Sequence, residues 1–308
     1  MPKVHFGLIL PETGLTPARR HLYMADLNRL LATVQGHFHS AWSIDHPQAD
    51  ALEAWTAITY LAALYPQLQW GHTVLNQTFR SPSLVAKMGA TLHYMSGGRF
   101  VLGIGAGGEE SEHLAYGYSF RRGRDRVAAL DEAISIIKGM WTEDRTTFHG
   151  AHYHVEAACC DPKLQPPPPI MVGAFMPQML RLTARHADWW NVSSTMIDEY
   201  RGLAQEFDRA CAEVGRDPTT VRRTWSGGCV CGPDAAAVAE LAAARLQLGP
   251  EYGYTVEEDF IGTPAQLVEL MQPFVELGVD YFMLDCGGFP RLTTMELLID
   301  EVLPALNR

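Results

Sequence analysis

The sequence predicts one (β/α)8 TIM barrel spanning residues 1–308, with an insertion between strands 4 and 5 and extra chain before strand 8. Three observations carry this. Short apolar runs alternate with helix-length amphipathic segments through eight successive units, the pattern of a parallel sheet wrapped by helices. The length of 308 residues suits one large α/β barrel or two ordinary domains, and no low-complexity linker or fixed-period repeat divides the chain. Finally, Phe100, Val101, Leu102 and Ile104 run into Gly103, Gly105, Gly107 and Gly108. An apolar run bounded by glycines reads as a buried parallel strand whose carboxyl end brings backbone N–H groups close to a ligand, commonly a phosphate. A doubly wound sheet is the runner-up, but no Gly-x-Gly-x-x-Gly follows the first strand, where such a fold would carry it.

Strand 1 is Val4–Leu10, closed by Pro11-Glu12-Thr13-Gly14, and a helix from Pro17 to Gln35 follows with Leu22, Leu27, Leu30, Leu31 and Val34 on one face. Strand 2 is Ser40–Ile44, ending in Asp45-His46-Pro47; a helix covers Glu53–Tyr65. Strand 3 is Leu68–Leu75, and the next helix, Pro82–Met95, has proline in its first turn. The glycine-rich stretch is strand 4, followed by a helix from Asp125 to Trp141. Thr146 to Val155 alternates around Gly150 and reads as a small hairpin inserted before strand 5, Ile170–Gly173. A helix at Pro177–His186, strand 6 at Trp189–Val192, a helix at Asp198–Val214 and strand 7 at Val221–Cys231 come next. Helices at Ala235–Leu248 and Pro264–Leu277 precede strand 8, Tyr281–Leu284, and Thr294–Leu306 forms the last helix.

The formal charge of −11 argues against nucleic-acid partners and anionic membranes, which select basic clusters. Val4–Leu10 is too short to cross a bilayer and reads as a strand. The six cysteines, at 159, 160, 211, 229, 231 and 286, offer no CxxC spacing and poor disulfide geometry, so reduced thiols in a soluble cytoplasmic protein are expected. His37-x-His39 and His152-x-His154 have metal-like spacing, but a hydrolase barrel would place His-x-His at the end of strand 1, where Leu8-Ile9-Leu10 stands, and no metal is expected.

In such a barrel the chemistry sits at the carboxyl ends of the strands. Glu12, Asp45-His46, Asn76, Ala106 to Glu110 with Glu112-His113, Gly173-Ala174-Phe175 and Asp285 to Gly288 occupy those ends. Asp45-His46 is either a helix cap beside a surface histidine or a histidine tuned by a carboxylate to move a proton near neutral pH. The arginines at 121, 122, 124 and 126 form a solvated helix entry or a guide for an anionic group.

Gly71-x-Thr73-Val74-Leu75-x-x-Thr78-Phe79-Arg80-x-Pro82, Ser96-Gly-Gly-Arg-Phe-x-Leu-Gly-Ile-Gly-Ala-Gly, Glu112-His113-x-Ala115-Tyr116-Gly117, Leu182-x-Ala184-Arg185-x-Ala187-Asp188-x-Trp190-Asn191 and Ile261-Gly262-Thr263-Pro264 stand in this order along the chain. Together they resemble the bacterial luciferase-like superfamily over nearly the whole length. The resemblance implies a barrel that binds FMN or the deazaflavin F420 and transfers hydride to or from a small organic substrate. F420 is favoured because Asp45-His46 is similar to the pair of the deazaflavin branch; His46 would be the acid/base and Asp45 would orient it and contact the cofactor.

By the same resemblance Ala106, Gly107 and Gly108 would approach the cofactor phosphate, and Gly173, Ala174, Phe175 and Met176 would form a second loop beside it. Thr73 and Val74, joined by a non-prolyl cis peptide, would prop the ring, with Asn76 alongside. The carboxylate of deazaflavin sugar-phosphate dehydrogenases aligns with Gly108, which makes neighbouring Glu109 the candidate second catalytic group. A sugar phosphate is not supported as substrate, since the tryptophan those enzymes carry after the Asp-His pair is replaced by Pro47-Gln48-Ala49-Asp50. The resemblance further implies a homodimer, with Trp55, Tyr60, Tyr65, Met88 and Tyr94 on the contact surface. Its alternatives are a two-component FMN-dependent monooxygenase with a separate flavin reductase, and a non-catalytic flavin binder.

Overall fold

Eight parallel staves close into a barrel in the computed structural model, which describes residues 3–12, 15, 17–49, 51–163, 165–246 and 259–308. The staves are β1 (His5–Ile9), β2 (Ser40–Ser43), β3 (Gln69–His72, continued by Leu75–Asn76), β4 (Phe100–Gly105), β5 (Ile170–Gly173), β6 (Trp189–Ser193), β7 (Arg222–Gly227) and β8 (Val279–Asp285). Each pairs with its neighbours in order, and β8 returns to β1 with Ile9 opposite Asp285. Helices α1 (Arg20–Val34), α2 (Ala54–Leu64), α3 (Pro82–Met95), α4 (Gly123–Thr142), α5 (Pro177–His186), α6 (Ile197–Glu213), α7 (Ala235–Leu246) and α8 (Pro264–Glu276) cover the staves. No helix among the described residues is long and apolar enough to cross a membrane.

Two apolar layers result. Outward-facing strand residues such as Phe6, Leu8, Leu102 and Phe282 pack under the helices with Leu27, Ile58, Ile134 and Phe207. Inside the barrel, Ile9, Trp42, Val101, Met171, Trp189, Tyr281 and Met283 form a second cluster, as expected for a filled barrel interior. Trp42 sets the chemistry of its neighbours: its Nε1 donates to Ser40 Oγ at 2.5 Å, and Tyr281 donates to the same oxygen at 2.6 Å. A Cβ on Gly7 or Gly71 would run into the Trp42 ring, so these positions in β1 and β3 carry none.

The expected elements lie close to their sequence bounds, with informative exceptions. Strand 3 is not continuous to Leu75: it breaks at Thr73-Val74, whose peptide bond is cis as the resemblance implies. Strand 7 does not run to Cys231. It ends at Gly227, and Cys229–Cys231 leaves the barrel to pair with Phe260–Gly262 in a separate two-stranded parallel sheet. Gly228 permits the departure, its N–H donating to Asp259 and its carbonyl accepting from Phe260. The insertion contains the expected hairpin, Thr146–His149 against His154–Ala158, its tip held by the Glu132 carboxylate, which accepts three backbone N–H groups from residues 151–153. A short helix, Glu110–Ala115, stands where no helix was expected. The last two residues of the expected helix Ala235–Leu248, and Thr13-Gly14 of the first strand-end turn, lie outside the described residues.

Candidate active site

All eight staves end at one mouth, which opens into a cavity of about 1110 Å³. Parallel register brings together strand ends that are far apart in sequence. Pairing of Gly7 with Ser40 and Ile9 with Trp42 sets the exit of β1 beside that of β2, and Glu12 beside His46.

His46 Nδ1 lies 3.0 Å from Glu12 Oε1, and the Glu12 side chain is buried whereas that of His46 is 44 % exposed. Burial works against the charged imidazole, but the Glu12 carboxylate together with Glu112 and Asp45 outweighs it, and the His46 pKa is raised above its ordinary value. Asp45 therefore does not orient the histidine as expected. Its carboxylate accepts the Asn76 N–H at 2.9 Å and both terminal nitrogens of Arg80 at 2.8 and 3.2 Å. Arg80 in turn pairs with Glu53 at 2.5 Å, and Glu53 caps α2 through the N–H groups of Trp55 and Thr56. The bidentate geometry explains the outcome: a guanidinium fork satisfies a buried carboxylate better than one imidazole N–H can. Asp45 thus fastens the β2 exit to the β3 continuation.

Glu112, from the short helix, is buried at the same cavity wall. Burial raises its pKa, with Glu109 and Asp45 adding to the effect, and His46 and the Gln48 N–H offsetting part of it. Glu109 also lines the cavity, at the N-cap position of the short helix, where its carbonyl faces His113 Nδ1 at 2.6 Å.

The β4 exit is built to be close-fitting. Gly107 has φ +76°, and a Cβ there would strike the Asn76 side chain. Val74 lies between the ends of β4 and β5: a Cβ on Gly105 would meet it at 2.7 Å, and one on Gly173 at 3.5 Å. The hydroxyl of Thr73 is buried, has no hydrogen-bond partner among the described residues and belongs to the cavity lining. Arg126 is built into this loop, donating from Nε to the Gly107 carbonyl at 2.9 Å and lying over the Phe120 ring.

Of the sequence-predicted residues, Asp45, His46, Thr73, Val74, Asn76, Ala106, Gly107, Gly108, Glu109, Gly173, Phe175 and Met176 line the cavity. Ala174 does not. Its side chain turns into the outer core, its N–H donates to the Asn191 carbonyl, and its own carbonyl accepts Trp190 Nε1 at 3.0 Å. Among the five aromatic or Met residues expected on a contact surface, Trp55 is buried against His72 and Phe100, whereas Tyr60 and Tyr94 are exposed.

Sequence reasoning placed Glu12 at a strand end without assigning it a role, and gave no role to Arg245, Asp259 or the polar exits of β6 and β7. Asn191 donates to Ser226 Oγ and accepts from Thr224, which fixes two of those exits. Arg245 Nε meets Asp259 at 2.6 Å and its Nη1 meets both oxygens of Asp285 at 2.8 Å. Burial pushes the Asp285 carboxyl up to about 6, against the pull of Arg245. Position at the carboxyl end of a strand was the available signal for Glu12 and Asp285; Arg245 and Asp259 come from the excursion before β8, where spacing gives none.

Comparison with known proteins agrees with the fold. The family described as luciferase-like monooxygenase matches residues 29–259. The chain is 32% identical to the F420-dependent glucose-6-phosphate dehydrogenase of Nakamurella multipartita, over 99% of this chain and 97% of that protein. It is 27% identical to the F420-dependent hydroxymycolic acid dehydrogenase of Mycobacterium tuberculosis, over 90% of this chain and 82% of that protein. A solved F420-dependent secondary alcohol dehydrogenase, in complex with an F420-acetone adduct, has the same fold, with a TM-score of 0.83 at 18% identity over 99% of this chain and 100% of that chain.

Proposed function

Because this chain belongs to the luciferase-like monooxygenase family, we propose that it is an oxidoreductase that uses F420 to interconvert an alcohol and its carbonyl compound. The observation that carries the proposal is the His46–Glu12 pair, a proton-handling group held in the same cavity as two glycine-bearing strand ends. The relatives named above, two dehydrogenases that depend on F420, favour that cofactor over FMN.

The residues fit such a cofactor. Gly108 leaves open space at the β4 exit for a close-lying phosphate, Gly105 and Gly107 make room for Val74 and Asn76, a buried Thr73 hydroxyl lacks a partner among the described residues, and Val74 fills the floor between two staves. Gly173, Phe175 and Met176 would bound the same end, and Arg126 adds positive charge there. When bound, F420 supplies the hydride acceptor or donor. In alcohol oxidation His46 takes the hydroxyl proton at Nε2, since Nδ1 faces Glu12, and Glu12 stabilises the resulting imidazolium. In carbonyl reduction the same nitrogen returns the proton. Glu112 and Asp45 lie close enough to add to the pull of Glu12, which favours the charged imidazole.

The protein acts in the cytoplasm as a homodimer. Support for association comes from Tyr60, Tyr94 and Met95, which are 57, 58 and 70 % exposed on α2 and α3. Titrating the apo-protein with F420 and with FMN tests the cofactor assignment. Micromolar binding of F420 is expected; FMN binding without F420 binding would overturn it and favour the reductase-dependent monooxygenase.

A further inference from the structure

Beneath the cavity the barrel interior changes character. Alternation along the staves turns Met171 of β5 and Trp189 of β6 into the apolar plug, while Trp190, Val192 and Trp225 face the outer core. The next inward positions are Asn191 on β6 and Thr224 and Ser226 on β7. Asn191 is in register with Gly173 on one side and with Thr224 on the other. Asn191, Thr224 and Ser226 are 3, 0 and 3 % exposed, and Asn191 and Ser226 line the cavity.

Hydrogen bonding runs through this polar layer in one direction. Thr224 Oγ1 donates to Asn191 Oδ1 at 2.9 Å, and Asn191 Nδ2 donates to Ser226 Oγ at 2.9 Å. The Trp190 carbonyl lies farther from the Thr224 hydroxyl, at 3.1 Å. An amide presents its oxygen on one side and its nitrogen on the other, so the first bond fixes the sense of the second. Ser226 Oγ is therefore the acceptor at the end of the chain, and its own hydrogen has no acceptor among the described residues. Burying a polar layer is unfavourable unless its groups are paired, so this hydrogen needs a partner. The Ser194 N–H, donating to the Ser226 carbonyl at 2.9 Å, holds the exits of β6 and β7 together around it.

We propose that Ser226, ordered by Thr224 and Asn191, donates a hydrogen bond to a carbonyl oxygen of the molecule bound in the cavity. That oxygen belongs either to the dione ring that F420 and FMN share or to the carbonyl substrate. The inference rests on the cofactor and alcohol–carbonyl reading above, and adds the group that fixes the bound molecule from the β7 side. A carbonyl oxygen accepts and offers no hydrogen in return, so it complements a hydroxyl that already serves as an acceptor. Each hydrogen bond in a chain polarises the next, which makes the last hydroxyl a stronger donor than an isolated serine. Thr224 and Asn191 are positioning residues: they act through Ser226.

Ser226→Ala removes the donor, and Thr224→Val keeps the side-chain shape but removes the group that orders it. Binding of F420 and of FMN is followed by fluorescence and absorption, and folding by circular dichroism. A fall in cofactor affinity of about tenfold in S226A, with a displaced absorption band of the bound ring and a smaller fall in T224V, assigns the ring carbonyl. Unchanged affinity and spectrum, with KM for cyclohexanone raised about tenfold at similar kcat under reduced F420, assign the substrate carbonyl. Unchanged affinity and spectrum together with an unchanged KM, or with no turnover of cyclohexanone, overturn the proposal. Should S226A not fold, T224V is read by the same criteria. Failure of the cofactor reading shows separately, as lack of F420 and FMN binding by the unaltered protein, whereas failure of the proposal shows as equal behaviour of the unaltered protein and the variants.

Discussion

His46 Nδ1 lies 3.0 Å from Glu12 Oε1, whereas the carboxylate of Asp45, its neighbour in sequence, faces Arg80 at 2.8 Å. The histidine is thus tuned across two staves, and the adjacent aspartate serves the scaffold. Burial lowers the His46 pKa, but Glu12, with Glu112 and Asp45 adding to it, leaves the pKa raised. A base must be neutral to accept a proton, so kcat/KM for alcohol oxidation should rise as pH increases through that raised pKa, and carbonyl reduction should fall over the same interval. In Glu12→Gln both limbs should move to lower pH, because the charge that favours the imidazolium is gone. A pH–rate profile checks this; limbs that stay in place would remove Glu12 from the tuning of His46.

Replacing the histidine asks a blunter question. His46→Ala should lower turnover by roughly 10²–10⁴-fold with F420 affinity kept within a small factor. Stopped-flow reduction of bound F420 by substrate reads the step directly, and full activity in the variant would exclude His46 as the acid/base.

Gly107 tests the cofactor end of the cavity. Its φ of +76° and the Asn76 side chain against its α-carbon leave no room for a methyl group. An alanine there carries a strain of about 1–3 kcal/mol and must displace Asn76, so F420 affinity by fluorescence titration should fall about tenfold or more. Undiminished affinity would move the phosphate away from the β4 exit.

Gly71→Ala probes the barrel interior, where the added methyl group would run into the buried Trp42 ring. Overpacking of this kind costs about 1–3 kcal/mol, to be read as a lower midpoint in urea at unchanged slope. An unaltered midpoint would show that Trp42 can shift without penalty.

Association is checked by light scattering at micromolar concentration, where a dimer is expected. Tyr60→Glu with Tyr94→Glu should shift it toward monomer, since both side chains are exposed and neither belongs to the cavity lining. A monomer in the unaltered protein would sink the dimer proposal.

The sequence by itself determined what depends on local pattern. Apolar runs of strand length, helix starts such as Pro82 and Pro177, and the glycines of β4 are legible because each reports its own residue's burial or dihedral need. The barrel followed from their alternation, and nearly all the expected site residues line one cavity because parallel staves deliver their carboxyl ends to one mouth.

Only the tertiary structure decided which of these residues face each other. Adjacency along the chain suggested Asp45 for His46, but the register of β1 with β2 supplied Glu12, and Arg80 claimed Asp45. The departure of Cys229–Cys231 from strand 7 and the meeting of Arg245 with Asp259 and Asp285 have the same origin. Side-chain pairing is set by distance in space and by competition among partners for a buried charge, and neither quantity is written in the spacing of residues along one chain.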